Sequence, residues 1–272
     1  MIIPTVTLSN GIQMPVLGLG VYAPQHISET QQAVEWAIEA GCRLIDTAAA
    51  YHNEREVACA LKAANLPRED IFVTTKVWND DQGYDQTLRA FDKSLAKLQL
   101  DVLDLYLIHW PVKELRRETW KAMERLYAEG RVRAIGVSNY YPAHLDELFE
   151  FAAVAPAVNQ FELSPYCYLP DVLEYCRARN IQPEGYAPLV RGLKKDDPRL
   201  LKLAANYGKS TFQLLIRWSL QHNVVTIPKS VKRDRIRENF DVFDFTITAD
   251  DMAYINTFYD NTRIADDPRT YR

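Results

Sequence analysis

Short apolar runs alternate along this chain with longer stretches in which apolar residues return every three or four positions. The runs fall at residues 17–21, 43–46, 71–76, 102–109, 132–137, 157–161, 181–186 and 224–227, and all but 181–186 have the length and composition of a buried strand. The intervening stretches predict helices over 29–40, from Asn53 onward, around Leu88, Phe91, Leu95 and Leu98, over 119–128, from Pro142, and over 172–178, 214–220 and 233–240. Asn53 with Glu56, and Ser210 with Gln213, have the spacing of capping boxes. Ahead of the repeat, residues 5–8 and 12–14 flank Asn10-Gly11 and predict a β-hairpin. Behind it, residues 248–258 predict an extra helix followed by a polar tail.

Strands alternating with helices at a spacing of about 30 residues imply right-handed βαβ units and a parallel sheet. Eight units predict a closed (β/α)8 barrel, organised as a single domain over residues 1–272. An open dinucleotide-binding sheet would want a glycine-rich first turn. Gly18 and Gly20 make only G-x-G, and Val21-Tyr22-Ala23-Pro24 follows instead of a helix start. The seventh strand is the weak one. Ile181-Gln182-Pro183-Glu184-Gly185 is polar, and Pro183 cannot donate to a ladder, so a bulge or irregularity is expected there.

Composition narrows the classes further. The chain has 272 residues, 47% hydrophobic and 25% charged, with a formal charge of −4, enough for a large core and no bulk attraction to nucleic acid or anionic membranes. No apolar run approaches the roughly 20 residues of a membrane-spanning helix. Cys42, Cys59, Cys167 and Cys176 show neither CxxC nor metal-ligand spacing, so buried reduced thiols, a cytoplasmic protein without a metal, and no secretory leader are expected.

Three consecutive strands end on titratable side chains, at Asp46, Lys76 and His109. Neighbouring strands lie about 4.8 Å apart, so these ends fall within about 10 Å at the C-terminal mouth of a barrel. Tyr51 lies in the turn after Asp46 and can lean over the same point. Each residue alone has a plainer role as a helix cap, a solvated cation, a structural imidazole or a pocket wall. Together they are apparatus for protonating a carbonyl oxygen. A phenol is a weak acid, a neighbouring ammonium should lower its pKa, Asp46 can hold Lys76, and His109 can orient the substrate oxygen. None of them carries hydride, so a nicotinamide cofactor is implied. The small residues Ala48, Ala49 and Ala50 are expected to leave room for it.

These stretches resemble the aldo-keto reductases, in particular the small microbial 2,5-diketo-gluconate reductase-like members, over essentially the whole chain. The matching segments are Asp46–Tyr51 with Asn53-Glu54, Thr75-Lys76-Val77-Trp78, Leu107-Ile108-His109-Trp110-Pro111, Gly136-Val137-Ser138-Asn139, Tyr186-Ala187-Pro188-Leu189, and Ile227-Pro228-Lys229-Ser230-Val231 with Arg235 and Glu238-Asn239-Phe240. The resemblance implies an NADPH-dependent oxidoreductase acting on aldehydes, ketones or dicarbonyls, with Tyr51 as proton donor assisted by Lys76, Asp46 and His109. It further implies that Ser138, Asn139 and Gln160 hold the carboxamide and that Tyr186 stacks on the nicotinamide, with Leu189 beside the cofactor. Lys229, Ser230 and Arg235 match the family's 2′-phosphate site, Val231 lies among the cofactor-binding residues, and Glu238 and Asn239 match its adenine contacts. Tyr22, Trp78, His109 and Trp110 would line the substrate mouth, left open by the short segment after Pro111. A small-molecule carbonyl substrate and a monomer are expected. A cofactor-sensing regulatory subunit with little turnover, or a Schiff-base aldolase acting through Lys76, are the competing readings.

Overall fold

The computed structural model describes residues 3–22 and 25–271. A hairpin of β1 (Thr5–Thr7) and β2 (Gln13–Pro15) precedes eight parallel strands: β3 (Leu19–Gly20), β4 (Leu44–Asp46), β5 (Phe72–Val77), β6 (Leu103–Ile108), β7 (Val132–Ser138), β8 (Val158–Glu162), β9 (Gln182–Tyr186) and β10 (Val225–Ile227). Around them run α1 (Thr30–Glu39), α2 (Glu54–Ala64), α3 (Tyr84–Leu98), α4 (Arg116–Ala128), α5 (Pro142–Phe149), α6 (Pro170–Ala178), α7 (Pro198–Asn206), α8 (Thr211–Gln221), α9 (Arg233–Phe240) and α10 (Ala249–Asn256). The strands pair in sequence order, and a Leu17–Thr226 bridge, with Gly18 N donating to Thr226 O and Thr226 N to Val16 O, closes the ring. This is the expected (β/α)8 barrel with its hairpin and extra C-terminal helix.

The glycines of the rejected G-x-G motif belong to this seam. A Cβ on Gly18 would lie 2.7 Å from Leu44 O, and one on Gly20 would lie 2.9 Å from Ile227 O. Backbone approaching this closely admits only glycine.

Period-two alternation sorts the strand side chains into two sets. Ile45, Val73, Tyr106, Ile108, Ile135, Val137 and Phe161 join the large apolar cluster formed with the helices. Leu44, Phe72, Leu105, Leu107, Ala134, Val158, Val225 and Ile227 form a second cluster inside the ring, with Leu8 and Met14 of the hairpin packed among them. The hairpin therefore plugs the N-terminal end. One step further along the same inward rows stand Asp46, Thr74, Lys76, Gln160 and Glu184, all buried. The interior is apolar below and polar above.

Several local expectations need correction. Pro183 causes no bulge: Val158–Glu162 pair residue by residue with Gln182–Tyr186. Gln182 N bonds Ala157 O on the β8 side, so the donor Pro183 lacks would point toward β10, whose pairing begins only at Glu184. The proline thus sits where no ladder bond is due. Asn53 stands at the N-cap of α2, as expected, but its side chain makes no capping bond. Its amide donates to Val21 O at 2.8 Å and accepts from Thr47 Oγ1 at 2.7 Å, tying the end of β3 to the turn after β4. The Ser210–Gln213 capping box is present. Helix α7 was absent from the sequence reading; Asp197 caps it by accepting from Arg199 N, and Leu200, Leu203 and Ala204 are its buried face. Three cysteines are buried, but Cys59 is exposed.

The polar tail is not free. Ile264 N and Ala265 N donate to the two carboxylate oxygens of Glu162 at 2.6 and 3.0 Å, and Arg263 bonds the Tyr141 hydroxyl. Arg116 holds Tyr271 O at 2.7 Å, bringing the Tyr271 ring flat against Trp110 at 5.2 Å. The segment after Pro111 is short, as expected, but this C-terminal stretch returns to pack beside Trp110. No helix among the described residues is long and apolar enough to cross a membrane.

Candidate active site

Asp46 ends β4 and Lys76 lies one residue from the end of β5, both inward-facing, and their pairing dominates the chamber. Lys76 is fully buried; its ammonium donates to Asp46 Oδ1 at 2.6 Å and to Thr47 O at 2.9 Å. A buried ammonium is tolerable only when paired and hydrogen-bonded in this way. The same enclosure makes Lys76 a poor Schiff-base nucleophile, which weighs against the aldolase reading.

Tyr51 closes a 3-10 turn, Ala49–Tyr51, and lies over the pair with the Lys76 ammonium 5.1 Å from its ring centre. The cation faces the ring, while its hydrogen bonds go to Asp46 Oδ1 and Thr47 O. Burial first, and then the charge of Asp46, hold the phenol well above its ordinary pKa. That reverses the direction anticipated from an adjacent ammonium. The phenol is consequently fully protonated at neutral pH, and the nearby cation would stabilise phenolate only as it forms.

His109 follows β6, edge-on to Tyr51 at 5.6 Å and to Trp78 at 5.1 Å between ring centres. Burial and then the Lys76 charge push its pKa well below the usual histidine range, so the imidazole is neutral. A neutral ring donates from one nitrogen only, and its buried Nδ1 has no partner among the described residues. Tyr22 stands 4.9 Å from Tyr51, nearly half exposed at the rim, with the Arg191 guanidinium 5.9 Å from its ring. Tyr22, Tyr51, His109 and Trp78 thus form a run of ring contacts, and Trp110, next in sequence to His109, stacks on Tyr271, a residue not singled out from the sequence.

Ser138, Asn139, Gln160 and Tyr186 converge on the adjoining side. Asn139 takes a left-handed φ of 66°, donates to His109 O at 2.9 Å, and accepts from the Tyr186 hydroxyl at 2.8 Å. Gln160 Nε2 donates to Asp46 Oδ2 at 2.8 Å and to Glu184 Oε2 at 2.9 Å. Both bonds leave from the nitrogen, which keeps the Gln160 carbonyl oxygen as an acceptor. Glu184 was not singled out from the sequence. Its signal was period-two spacing from Tyr186 on one strand.

Ala48 is fully buried, while Ala49 and Ala50 reach the surface. The expectation that all three alanines leave room at the mouth therefore fails at Ala48, where a larger side chain would overpack the core. Apart from this cluster, Gly20, Val21, Thr30, Ala33, Lys229, Ser230 and Val231 meet at a narrow crevice. Lys229 and Arg235 are exposed, whereas Lys232 and Arg233 are paired with Glu29 and Glu39. Desolvation lowers the Lys229 pKa; the Glu29 charge offsets part of this, and Arg191 and Lys232 add to it. Leu189 packs on the core, Glu238 is half-buried, and Asn239 is buried in α9.

The sequence profile of the aldo/keto reductase family matches residues 16–260. Glyoxal reductase of Bacillus subtilis (strain 168) is 47% identical over 264 residues, covering 97% of this chain and 96% of that protein. The 9,11-endoperoxide prostaglandin H2 reductase of Trypanosoma cruzi (strain CL Brener) is 48% identical over 272 residues, covering 98% and 95%. Among solved structures, an aldo-keto reductase of Bombyx mori in complex with NADP superposes with a TM-score of 0.93 at 37% identity, covering 98% of this chain and 96% of that one. Identity of this order, spread over nearly the full length of each relative, shows that the chain belongs to the aldo/keto reductase family.

Proposed function

We propose that this protein reduces small aldehydes, ketones or dicarbonyls to alcohols with NADPH, and that Tyr51 gives the proton. The observation that carries the reading is the Tyr51 ring standing over the buried Lys76–Asp46 pair beside His109. A nicotinamide, when bound, supplies the hydride.

The residues suit that cofactor. The Gln160 carbonyl oxygen can accept from a carboxamide, Tyr186 offers an aromatic face beside it, and Lys229 with Arg235 offers charge for a 2′-phosphate in an otherwise acidic protein. Asn139 would have to share its bonds with Tyr186 and His109 O to take part.

The chain's own contribution is acid catalysis and orientation. His109 donates to the carbonyl oxygen and holds it toward Tyr51. As negative charge grows on that oxygen, Tyr51 releases its proton to it. Lys76, its ammonium 5.1 Å from the Tyr51 ring centre, then stabilises the phenolate, and Asp46 keeps the ammonium in place. The interaction strengthens only as the reaction proceeds, so it accelerates the chemical step more than it tightens substrate binding. Trp78, Trp110 and Tyr271 give apolar walls, consistent with small carbonyl substrates.

The relatives named glyoxal reductase and prostaglandin endoperoxide reductase support carbonyl or related reductive chemistry without choosing a substrate. The test is NADPH oxidation against a small panel that includes methylglyoxal and a nitrobenzaldehyde, with NADH in parallel. No oxidation above background on any member would overturn the reading.

A further inference from the structure

The chamber holds more carboxyl than its cation can neutralise. Asp46 and Glu184 share one amide nitrogen, that of Gln160, each taking one of its two hydrogens. Glu184 is wholly buried, and its other oxygen, Oε1, has no partner among the described residues. Lys76 already bonds Asp46 directly. Two carboxylates facing a single ammonium in a dry interior cannot both stay ionised, and the one without the direct ion pair gives way.

We propose that Glu184 is a positioning residue, a neutral carboxyl that together with Asp46 clamps the Gln160 amide and keeps the charge beneath Tyr51 balanced. This deepens the carbonyl-reductase reading and rests on it for the role of Gln160. With Nε2 held from two sides, Gln160 cannot turn, so its oxygen is the atom presented to a nicotinamide carboxamide. Ionisation of Glu184 adds a second negative charge below Tyr51, draws on the Lys76 ammonium, and makes the phenol a weaker acid.

The surroundings agree. Burial, then the Asp46 charge, push the Glu184 carboxyl up to about 8. Asp46 on β4, Lys76 on β5 and Tyr51 after β4 are the titratable groups facing it. On its flanking strands, β10 brings only Val225, Thr226 and Ile227, while Glu162 of β8 is occupied by Ile264 N and Ala265 N.

The test compares wild type with Glu184→Gln and Glu184→Leu. Wild-type kcat for aldehyde reduction at saturating NADPH should fall about tenfold one pH unit above the Glu184 ionisation. Glu184→Gln stays neutral and can still accept from Gln160; it should keep the neutral-pH rate within about twofold and lose that alkaline limb. Glu184→Leu should raise the NADPH Kd about fivefold, read by fluorescence without turnover, and Glu184→Gln should restore it.

The infrared band of a protonated carboxyl in wild type, titrating near the pH of about 8 and missing from Glu184→Gln, reads the same group with no cofactor or activity. Superimposable pH profiles for wild type and Glu184→Gln, or no such band in wild type, overturn the proposal. A wild type that shows the band but reduces no carbonyl would sink the function while leaving the neutral, charge-balancing Glu184 standing.

Discussion

Replacing Asp46 with Asn tests the electrostatic floor of the site. Lys76 is fully buried, with its ammonium 2.6 Å from Asp46 Oδ1, and Asp46 Oδ2 accepts from Gln160 at 2.8 Å. Asparagine keeps the shape but removes the counter-charge. It also sets an NH2 donor against either the ammonium or the Gln160 amide, so one of the two bonds is lost. Breaking one partner of a buried ion pair costs about 3–5 kcal/mol, because the remaining charge stays desolvated. For a chain of this size that is a fall of roughly 6–20 °C in Tm.

Glu184 offers a partial escape, since the Asp46 charge helps keep it neutral and the variant removes that charge. The double variant Asp46→Asn with Glu184→Gln closes the escape and should lose more than the two single losses combined. Urea unfolding at neutral pH, followed by tryptophan fluorescence, measures all three. A loss below about 1 kcal/mol in both Asp46→Asn and the double variant, the range of a solvated surface pair, would refute the reasoning.

Two further outcomes follow from the mouth and the crevice. Glu162→Ala removes the acceptor of Ile264 N and Ala265 N, so the C-terminal stretch should become cleavable by protease near residue 264 and the KM for aldehydes should change about threefold or more, with the melting temperature within a few degrees of wild type; an unchanged cleavage pattern would count against the tether. Lys229→Ala combined with Arg235→Ala should weaken NADPH binding by roughly 2 kcal/mol and leave NADH nearly unaffected, since charge-assisted phosphate bonds are what is removed; equal losses for both cofactors would contradict the 2′-phosphate assignment.

Much of the fold and the upper tier of the site were legible because they rest on simple periodicities. Apolar runs stopping at Asp46, Lys76 and His109 placed three chemical groups on neighbouring strands, and the strand order did the rest. In the seventh barrel strand, a polar residue was taken as weakness. Gln182-Pro183-Glu184 looked like a poor strand, yet Glu184 lies on the same inward row as Tyr186 and belongs to the polar tier above Phe72, Leu105 and Val158. The same blindness applies to Asn53, where the local spacing of a capping box cannot be told from a loop lock whose partners are Val21 and Thr47. The tail looked solvated because its anchors, Glu162, Tyr141 and Arg116, are more than 90 residues away in sequence, and local pattern carries no trace of them. Helix α7 was within reach: Asp197-Pro198 is an N-terminal signal, and Leu200, Leu203 and Ala204 have helical spacing.

The central claim is that the Tyr51 phenol is the acid. Phenylalanine at position 51 keeps the ring that contacts Tyr22, His109 and Lys76 and removes only the hydroxyl. Steady-state kcat for aldehyde reduction and the NADPH dissociation constant, measured on Tyr51→Phe and wild type side by side, test it most directly. The account predicts a fall in kcat of at least about a hundredfold with the NADPH Kd within about twofold of wild type. A variant that still turns over at a comparable rate, or one that loses NADPH binding instead of kcat, would contradict it.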